Sequence, residues 1–116
     1  MPRTRAFHLS AARSLIEQAL AGAGYDVIAD PAEPNLVQAR RGDPGGVLSA
    51  VVDAGGGLRF TRVRQLDPEE PDERQLKSGR TVRLVRRADE TLTILVRLTA
   101  ADARDFAALL AELEAQ

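Results

Sequence analysis

The sequence predicts an α+β fold: a two-layer sandwich whose antiparallel meander sheet of five or six strands carries an N-terminal and a C-terminal helix on one face. Apolar residues recur at helical spacing near both ends of the chain and alternate with polar residues in between. The connecting segments are short and rich in Gly, Pro and Asp. With 116 residues, 44% of them hydrophobic, the chain is long enough for one domain with a single core.

The first helix is predicted near residues 10–22, in the segment LSAARSLIEQALAGAG. Ser10 is the expected N-cap, because its side-chain oxygen can accept an unpaired amide hydrogen of the first turn. Gly22 and Gly24 are expected to end the helix, since Gly adopts the left-handed conformation at little cost. The expected buried stripe consists of Ala12, Leu15, Ile16, Ala19, Leu20 and Ala23.

Strands are then predicted near 25–29 and 35–40, with the proline-rich DPAEPN as the turn between them. After a second turn at GDPGG, the segments VLSAVVD and LRFTRVRQ predict a hairpin whose loop is 53–57. One buried layer is expected to contain Leu48, Ala50, Val52, Leu58 and Phe60.

The strand that contains RFTRVRQL breaks its own alternation, because Arg62 follows Leu58 and Phe60 on the face expected to be apolar. A β-bulge near Thr61 and Arg62 would shift the register by one residue. Val63 would then point inward and Arg62 outward, which avoids the cost of burying a charge. We therefore predict a kinked strand at this position.

The segment 67–79 is acidic at its start and contains two prolines, so we expect a surface loop with at most one helical turn. The clearest hairpin follows, in RTVRLVRRADETLTILVRL. Placing both apolar sets on one face pairs 84 with 94 and 82 with 96. That register leaves Ala88, Asp89 and Glu90 as a three-residue loop.

The last segment, TAADARDFAALLAELEAQ, predicts the C-terminal helix. Thr99 is the expected N-cap, and Asp102 three residues later completes a capping box with Asp in place of the usual Glu. The expected buried stripe consists of Ala103, Phe106, Leu109, Leu110 and Leu113. We expect 1–116 to form a single α+β domain in which residues 1–8 are flexible.

The order of elements is similar to that of frataxin-like domains and of type III secretion chaperone-like proteins. The likeness is one of topology without a sequence motif, so it implies little about function. No apolar run approaches the ~18 residues that a membrane span needs. The N-terminus has no long apolar stretch of a secretory signal, and the chain has no cysteine. We expect a cytoplasmic protein.

Few residues are suited to catalysis or to metal binding, and we expect no catalytic residue, no metal and no cofactor. His8 is the sole histidine and precedes the first helix, where a plain surface role is the usual one. The GAG at 22–24 ends a helix instead of joining a strand to one, so it is not a dinucleotide-binding loop. The acidic DPEEPDE lacks the ligand spacing of a calcium loop. An enzyme of unrecognised type is the third of three functional hypotheses.

Basic residues are concentrated in one part of the chain, although the formal net charge is only −1. More than half of the 16 Lys and Arg residues lie between Arg59 and Arg87. The preference for Arg over Lys is typical of a GC-rich genome, but clustered arginines also bind phosphates, and composition does not separate the two explanations. Nucleic-acid binding is therefore the second hypothesis. Its candidate residues are Arg59, Arg62, Arg64, Arg80, Arg86 and Arg87.

The first hypothesis is a small interaction or adaptor protein that binds itself or another protein through its sheet. Val85 and Leu95 are expected on the outer face of the last hairpin, flanked by Arg83 and Arg97. A sheet face with an apolar centre and a rim of arginines resembles a self-association patch. We therefore expect a homodimer with Arg83, Val85, Leu95 and Arg97 in the interface.

Overall fold

The computed structural model describes residues 7–28, 32–43, 46–63, 69–87 and 91–116. It has the predicted α+β architecture, with an antiparallel sheet of seven strands in place of five or six. The elements in chain order are α1 (Leu9–Gly22), β1 (Asp26–Ile28), β2 (Val37–Asp43), β3 (Gly46–Val52), β4 (Gly57–Val63), β5 (Glu73–Gln75), β6 (Thr81–Arg86), β7 (Thr91–Arg97), α2 (Ala100–Arg104) and α3 (Phe106–Glu114).

The sheet consists of two meanders joined side by side. Its spatial order is β1-β2-β3-β4-β7-β6-β5, and every neighbouring pair is antiparallel. Only the pairing of β4 with β7 joins strands that are distant in sequence, with Gly57 opposite Arg97 and Val63 opposite Thr91. The outermost strands, β1 and β5, have three residues each, and such short edges offer little backbone for pairing with another chain.

One face of the sheet packs against the helices and forms the core. The hairpin of β3 and β4 places the five predicted apolar residues in this layer, and all of them are buried. On the helical side, the core includes Ile16, Leu20, Phe106, Leu110 and Leu113. Burial of a large aliphatic or aromatic side chain contributes about 1.5–3 kcal/mol, so this layer is the main source of stability.

Helix α1 begins one residue before its predicted start. Its N-cap is His8, which makes no side-chain capping bond, and Ser10 lies inside the first turn. The prediction of a Ser10 cap is therefore wrong. Leu15 also departs from the predicted stripe, because 44% of it remains exposed. The buried arc of α1 is therefore narrower than its predicted apolar stripe.

The C-terminal helical segment is divided at Asp105 into α2 and α3, where one continuous helix was predicted. The capping box is confirmed: the backbone N–H and the hydroxyl of Thr99 both donate to Oδ2 of Asp102, at 2.6 and 3.0 Å. The predicted stripe from Ala103 to Leu113 is also confirmed, since all five of its residues are buried.

Strand β4 contains no bulge. Its pairing with β7 continues in one register from Gly57 to Val63, so Arg62 stays on the helix-covered face. Val63 points to the opposite face and is 45% exposed. The predicted kink near Thr61 is therefore wrong. Arg62 is tolerated on this face because it has a hydrogen-bond acceptor at the end of a helix.

The segment 67–79 was predicted as a surface loop, but it includes regular structure in the part that the structure describes, from residue 69 onward. It contains β5, which pairs with the start of β6. The predicted register of the last hairpin is confirmed, with Leu84 opposite Ile94. Its loop, 88–90, lies outside the described residues, as do Arg64 and the segments 1–6 and 29–31.

Candidate functional site

The second face of the sheet, which we call the open face, has no helix over it. In each described strand, alternate residues point to this face, and none of them is buried. The helix-covered face differs, since its aliphatic and aromatic residues in β2, β3, β4, β6 and β7 are all buried. Within the described part of the chain, the open face is therefore the one large surface of regular structure that lacks a second layer.

Apolar residues lie across the middle of the open face. Val51, Val85 and Leu95 are half-buried, and Val47 and Val63 are exposed. Between them, the hydroxyls of Thr61 and Thr93 are 3.1 Å apart across β4 and β7. The structure thus places the predicted interface residues Val85 and Leu95 on one face, on neighbouring strands.

A shallow depression of about 750 Å³ lies around Leu95. Arg59, Arg83 and Arg97 are among the residues that line it, and Gly57 leaves space opposite Arg97. A Cβ at Gly57 would lie 2.7 Å from a carboxylate oxygen of Asp53, so a larger residue there would displace the Asp53 side chain. That carboxylate accepts the N–H groups of Gly55 and Gly57, each at 2.9 Å, and so fixes the turn at the edge of the depression.

The charges on the open face follow a pattern. Arg59 and Arg83 flank Leu95 from the strands on either side, and both are exposed. Exposed carboxylates lie on the two edge strands: Asp26 on β1 is opposite Arg40, and Glu73 on β5 is opposite Arg83. No ion pair with another described residue is formed by any of these side chains, which are Arg40, Arg59, Arg83, Asp26 and Glu73.

The arginines predicted to bind nucleic acid do not share one surface. Arg59 is on the open face, and Arg87 is exposed just after β6. Arg62 and Arg86 are on the helix-covered face, and Arg80 binds Asp102 of α2. Arg64, the sixth arginine of this set, lies outside the described residues.

A cluster of arginines surrounds the C-terminal end of α3, which sequence reasoning did not predict. Arg62 donates to the backbone carbonyl of Glu114 at 2.7 Å, and Arg41 forms an ion pair with the Glu114 carboxylate at 2.5 Å. Arg74 binds the side chains of Glu70 and Gln116. Cations are favoured here because the last carbonyls of a helix lack partners and carry partial negative charge.

Arg41 and Arg62 of this cluster share a sequence signal with Arg86, which instead binds Asp72 and the backbone carbonyl of Glu70. In three strands, two apolar residues on the inner face are followed by an arginine on the same face: Val37-Ala39-Arg41, Leu58-Phe60-Arg62 and Val82-Leu84-Arg86. Arg62 and Arg86 flank Leu92 from opposite sides, so they share one rung of the sheet. The repeat indicates a polar end of the core layer.

The surroundings of Tyr25 and Asp102 shift the pKa values of these two groups. Burial is the largest influence on the pKa of Tyr25 and raises it above its ordinary range, and the adjacent Glu114 carboxylate, which accepts the Tyr25 hydroxyl at 3.1 Å, raises it further. Burial also acts to raise the pKa of Asp102, but the hydrogen bonds from Arg80 and from Thr99 outweigh it. The pKa of Asp102 is therefore held below its usual value.

No three His, Asp or Glu side chains of the described residues are grouped closely enough to hold a metal ion. None of the helices in the described ranges is long and apolar enough to cross a membrane. His8 is exposed at the start of α1.

Comparisons of the chain with protein-family models, with curated proteins and with solved structures found no match.

Proposed function

We propose that this chain is a small cytoplasmic interaction protein, not an enzyme, and that two copies associate through their open faces. One observation carries the proposal: no described residue of this face is buried, although Val47, Val51, Val63, Val85 and Leu95 all lie on it. Apolar side chains grouped on one uncovered sheet face are a feature of interaction sites in soluble domains. Arginine is enriched at protein interfaces, and Arg59 and Arg83 lie directly beside Leu95 on this face.

The size of the face supports a dimer. Five of its strands have six or seven residues and two have three. With strands ~4.8 Å apart and a rise of ~3.3 Å per residue, the flat area is about 600 Å². The relief of the side chains increases the accessible area above that value. A standard specific interface buries about 800 Å² on each partner, which is close to what this face offers.

Sedimentation equilibrium over a wide range of protein concentrations tests the proposal. The wild-type chain is expected to form dimers. Leu95→Lys is expected to raise the dissociation constant at least tenfold, because it places an ammonium group in the apolar centre. Leu15→Lys is the matched control, since Leu15 is a partly exposed leucine on α1, away from the open face.

Circular dichroism melting of both variants establishes that they are folded. A wild-type chain that stays monomeric at high concentration would contradict the proposal. So would a dimer that Leu15→Lys weakens and Leu95→Lys leaves intact, because that result would place the interface on the helices.

Nucleic-acid binding is the second candidate function. The exposed arginines Arg59, Arg83 and Arg97 favour it, because no described acid pairs with them. Binding of this kind would weaken steeply with salt, since phosphate contacts release counterions. A titration of single- and double-stranded DNA and RNA at two salt concentrations distinguishes the candidates. Salt-sensitive affinity for a polynucleotide by the monomer would favour this function over dimerisation.

A further inference from the structure

The open face carries charges of both signs, with Arg59, Arg83 and Arg97 on inner strands and the acids Asp26 and Glu73 on the edge strands, where Asp26 is opposite Arg40. Arg59, Arg83 and Arg97 surround the depression at Leu95. Asp26 and Glu73 lie on β1 and β5, the two edge strands. A two-fold dimer uses the same patch on both copies, so a patch of one sign would repel its own copy. A patch with separated charges of both signs can instead be complementary to itself.

We infer that, in the dimer proposed above, the arginines around the depression receive an edge carboxylate of the second copy, and that this contact selects the partner. The inference rests on the proposed function and names the charges that give it specificity. By the two-fold symmetry, each copy contributes an acid and receives one. The facing carboxylate comes from Asp26 or Glu73, the exposed acids of the two edge strands.

The chemistry of the depression fits a carboxylate on an aliphatic stem. The guanidinium group is planar and can donate two parallel N–H bonds to a carboxylate. Arg97 has only a 3.4 Å bond to the carbonyl of Gly55, and Arg59 and Arg83 have no ion-pair partner among the described residues. These donors are therefore available to a partner. Leu95, half-buried between them, offers apolar contact to the stem of an incoming Asp or Glu.

A nucleic-acid strand fits the same depression less well. Single-strand binders use aromatic side chains on which bases stack. The described residues of the open face include no aromatic side chain. Arginines alone would attract phosphates without holding bases, so an acidic partner surface is the better match.

Two charge-reversed variants test the inference. The acidic-centre variant carries Arg59→Glu, Arg83→Glu and Arg97→Glu, and the basic-edge variant carries Asp26→Arg and Glu73→Arg. Each is expected to dissociate at least tenfold more readily than wild type, because like charges then meet in the dimer. An equimolar mixture is expected to form a heterodimer, since both of its contacts pair opposite charges.

The control variant carries Lys77→Glu and Arg104→Glu. Both residues are exposed and lie outside the open face, so its dissociation constant is expected to stay within about twofold of wild type. Circular dichroism establishes that each variant is folded. Native mass spectrometry counts homodimers and heterodimers directly, because the variants differ in mass.

The outcomes separate the inference from the proposed function. A heterodimer from two variants that are monomeric alone supports the inference. Variants that dimerise as tightly as wild type overturn the inference and leave the proposed dimer standing. A wild-type chain that is monomeric at every concentration overturns both. Loss of polynucleotide affinity in the acidic-centre variant, with no wild-type dimer, also overturns both and assigns the arginines to nucleic acid.

Discussion

The guanidinium of Arg62 donates a 2.7 Å hydrogen bond to the backbone carbonyl of Glu114, which joins the end of β4 to the last turn of α3. The acceptor is one of the helix carbonyls that have no partner inside the helix. An arginine in the core-facing layer thereby gains an acceptor at the negative end of the helix dipole. The contact fixes where α3 ends over the sheet.

Replacement of Arg62 by Met is expected to destabilise the protein by about 1–3 kcal/mol, because the side-chain stem stays while the charged donor is lost. Urea unfolding followed by circular dichroism measures the change. Arg104→Met is the control: Arg104 is exposed on α2 and lies outside the open face. Its effect is expected within about 0.5 kcal/mol. Equal losses in both variants would contradict the role of the Glu114 carbonyl.

Asp102→Asn is expected to destabilise the protein by about 1–2 kcal/mol, because it removes the negative charge from the capping box and from the contact with Arg80. Thermal or urea unfolding at neutral pH measures it. Asp105→Asn is the control. Asp105 is exposed at the start of α3 and makes no side-chain capping bond. Its replacement is expected to have little effect.

The stability difference between wild type and Asp102→Asn is expected to depend on pH. The folded-state pKa of Asp102 lies below its unfolded value, so the carboxylate contributes its full stability above the unfolded pKa of about 3.8. As the pH falls through the folded-state pKa, this contribution is lost. Unfolding series between pH 3 and pH 7 should therefore show a smaller difference between the two proteins at the acidic end. A constant difference would exclude ionisation of Asp102 as its source.

Tyr25→Phe is expected to cost about 0.5–1.5 kcal/mol at neutral pH, because the ring stays buried and only the hydrogen bond to Glu114 is lost. The pKa of Tyr25 is raised on folding, so its contribution is complete below the unfolded pKa and declines as the pH rises past about 10. Wild type should therefore lose its advantage over Tyr25→Phe in alkaline urea unfolding. Persistence of the full advantage at pH 11 would contradict the raised pKa.

Gly56→Ala is expected to destabilise the protein by about 1–3 kcal/mol. Gly56 has φ +87°, and a Cβ there would lie 3.0 Å from the Phe7 ring and 3.2 Å from the Leu98 carbonyl. Gly22→Ala is the control, because Gly22 is the last residue of α1 and has open space around its Cβ position. That change is expected to be neutral or stabilising by up to about 1 kcal/mol. Differential scanning calorimetry compares the two.

Much of the fold could be predicted because local rules and the tertiary structure agree. The alternation from Leu48 to Val52 and from Leu58 to Phe60 decides which side of the hairpin is buried. The spacing of Thr99 and Asp102 is a purely local signal, and the capping box formed where predicted. Leu84 faces Ile94 because a register shift by one residue would expose both apolar rows.

Two of the departures from the sequence predictions concern residues whose partners are distant in sequence. Arg62 was placed outside the core because no local residue could accept its charge, whereas its acceptor is 52 residues away. The strand Glu73–Gln75 is polar and has three residues, so only its pairing with β6 defines it. The alternation in the last hairpin predicted an uncovered outer face of the sheet. The depression on that face could not be predicted, because it depends on the long-range pairing that places Gly57 on β4 opposite Arg97 on β7.

The joint between β4 and β7 has a kinetic consequence. Every other strand pair is a hairpin that closes a short loop, whereas Gly57 and Arg97 are 40 residues apart. Closing a longer loop costs more chain entropy, and long-range pairing slows folding. The segments β1–β4 and β5–β7 are therefore expected to form early as separate local units. Substitutions where β4 pairs with β7, such as Ile94→Val, should then lower the refolding rate. Equally destabilising substitutions in the hairpin of β1 and β2 should lower it less.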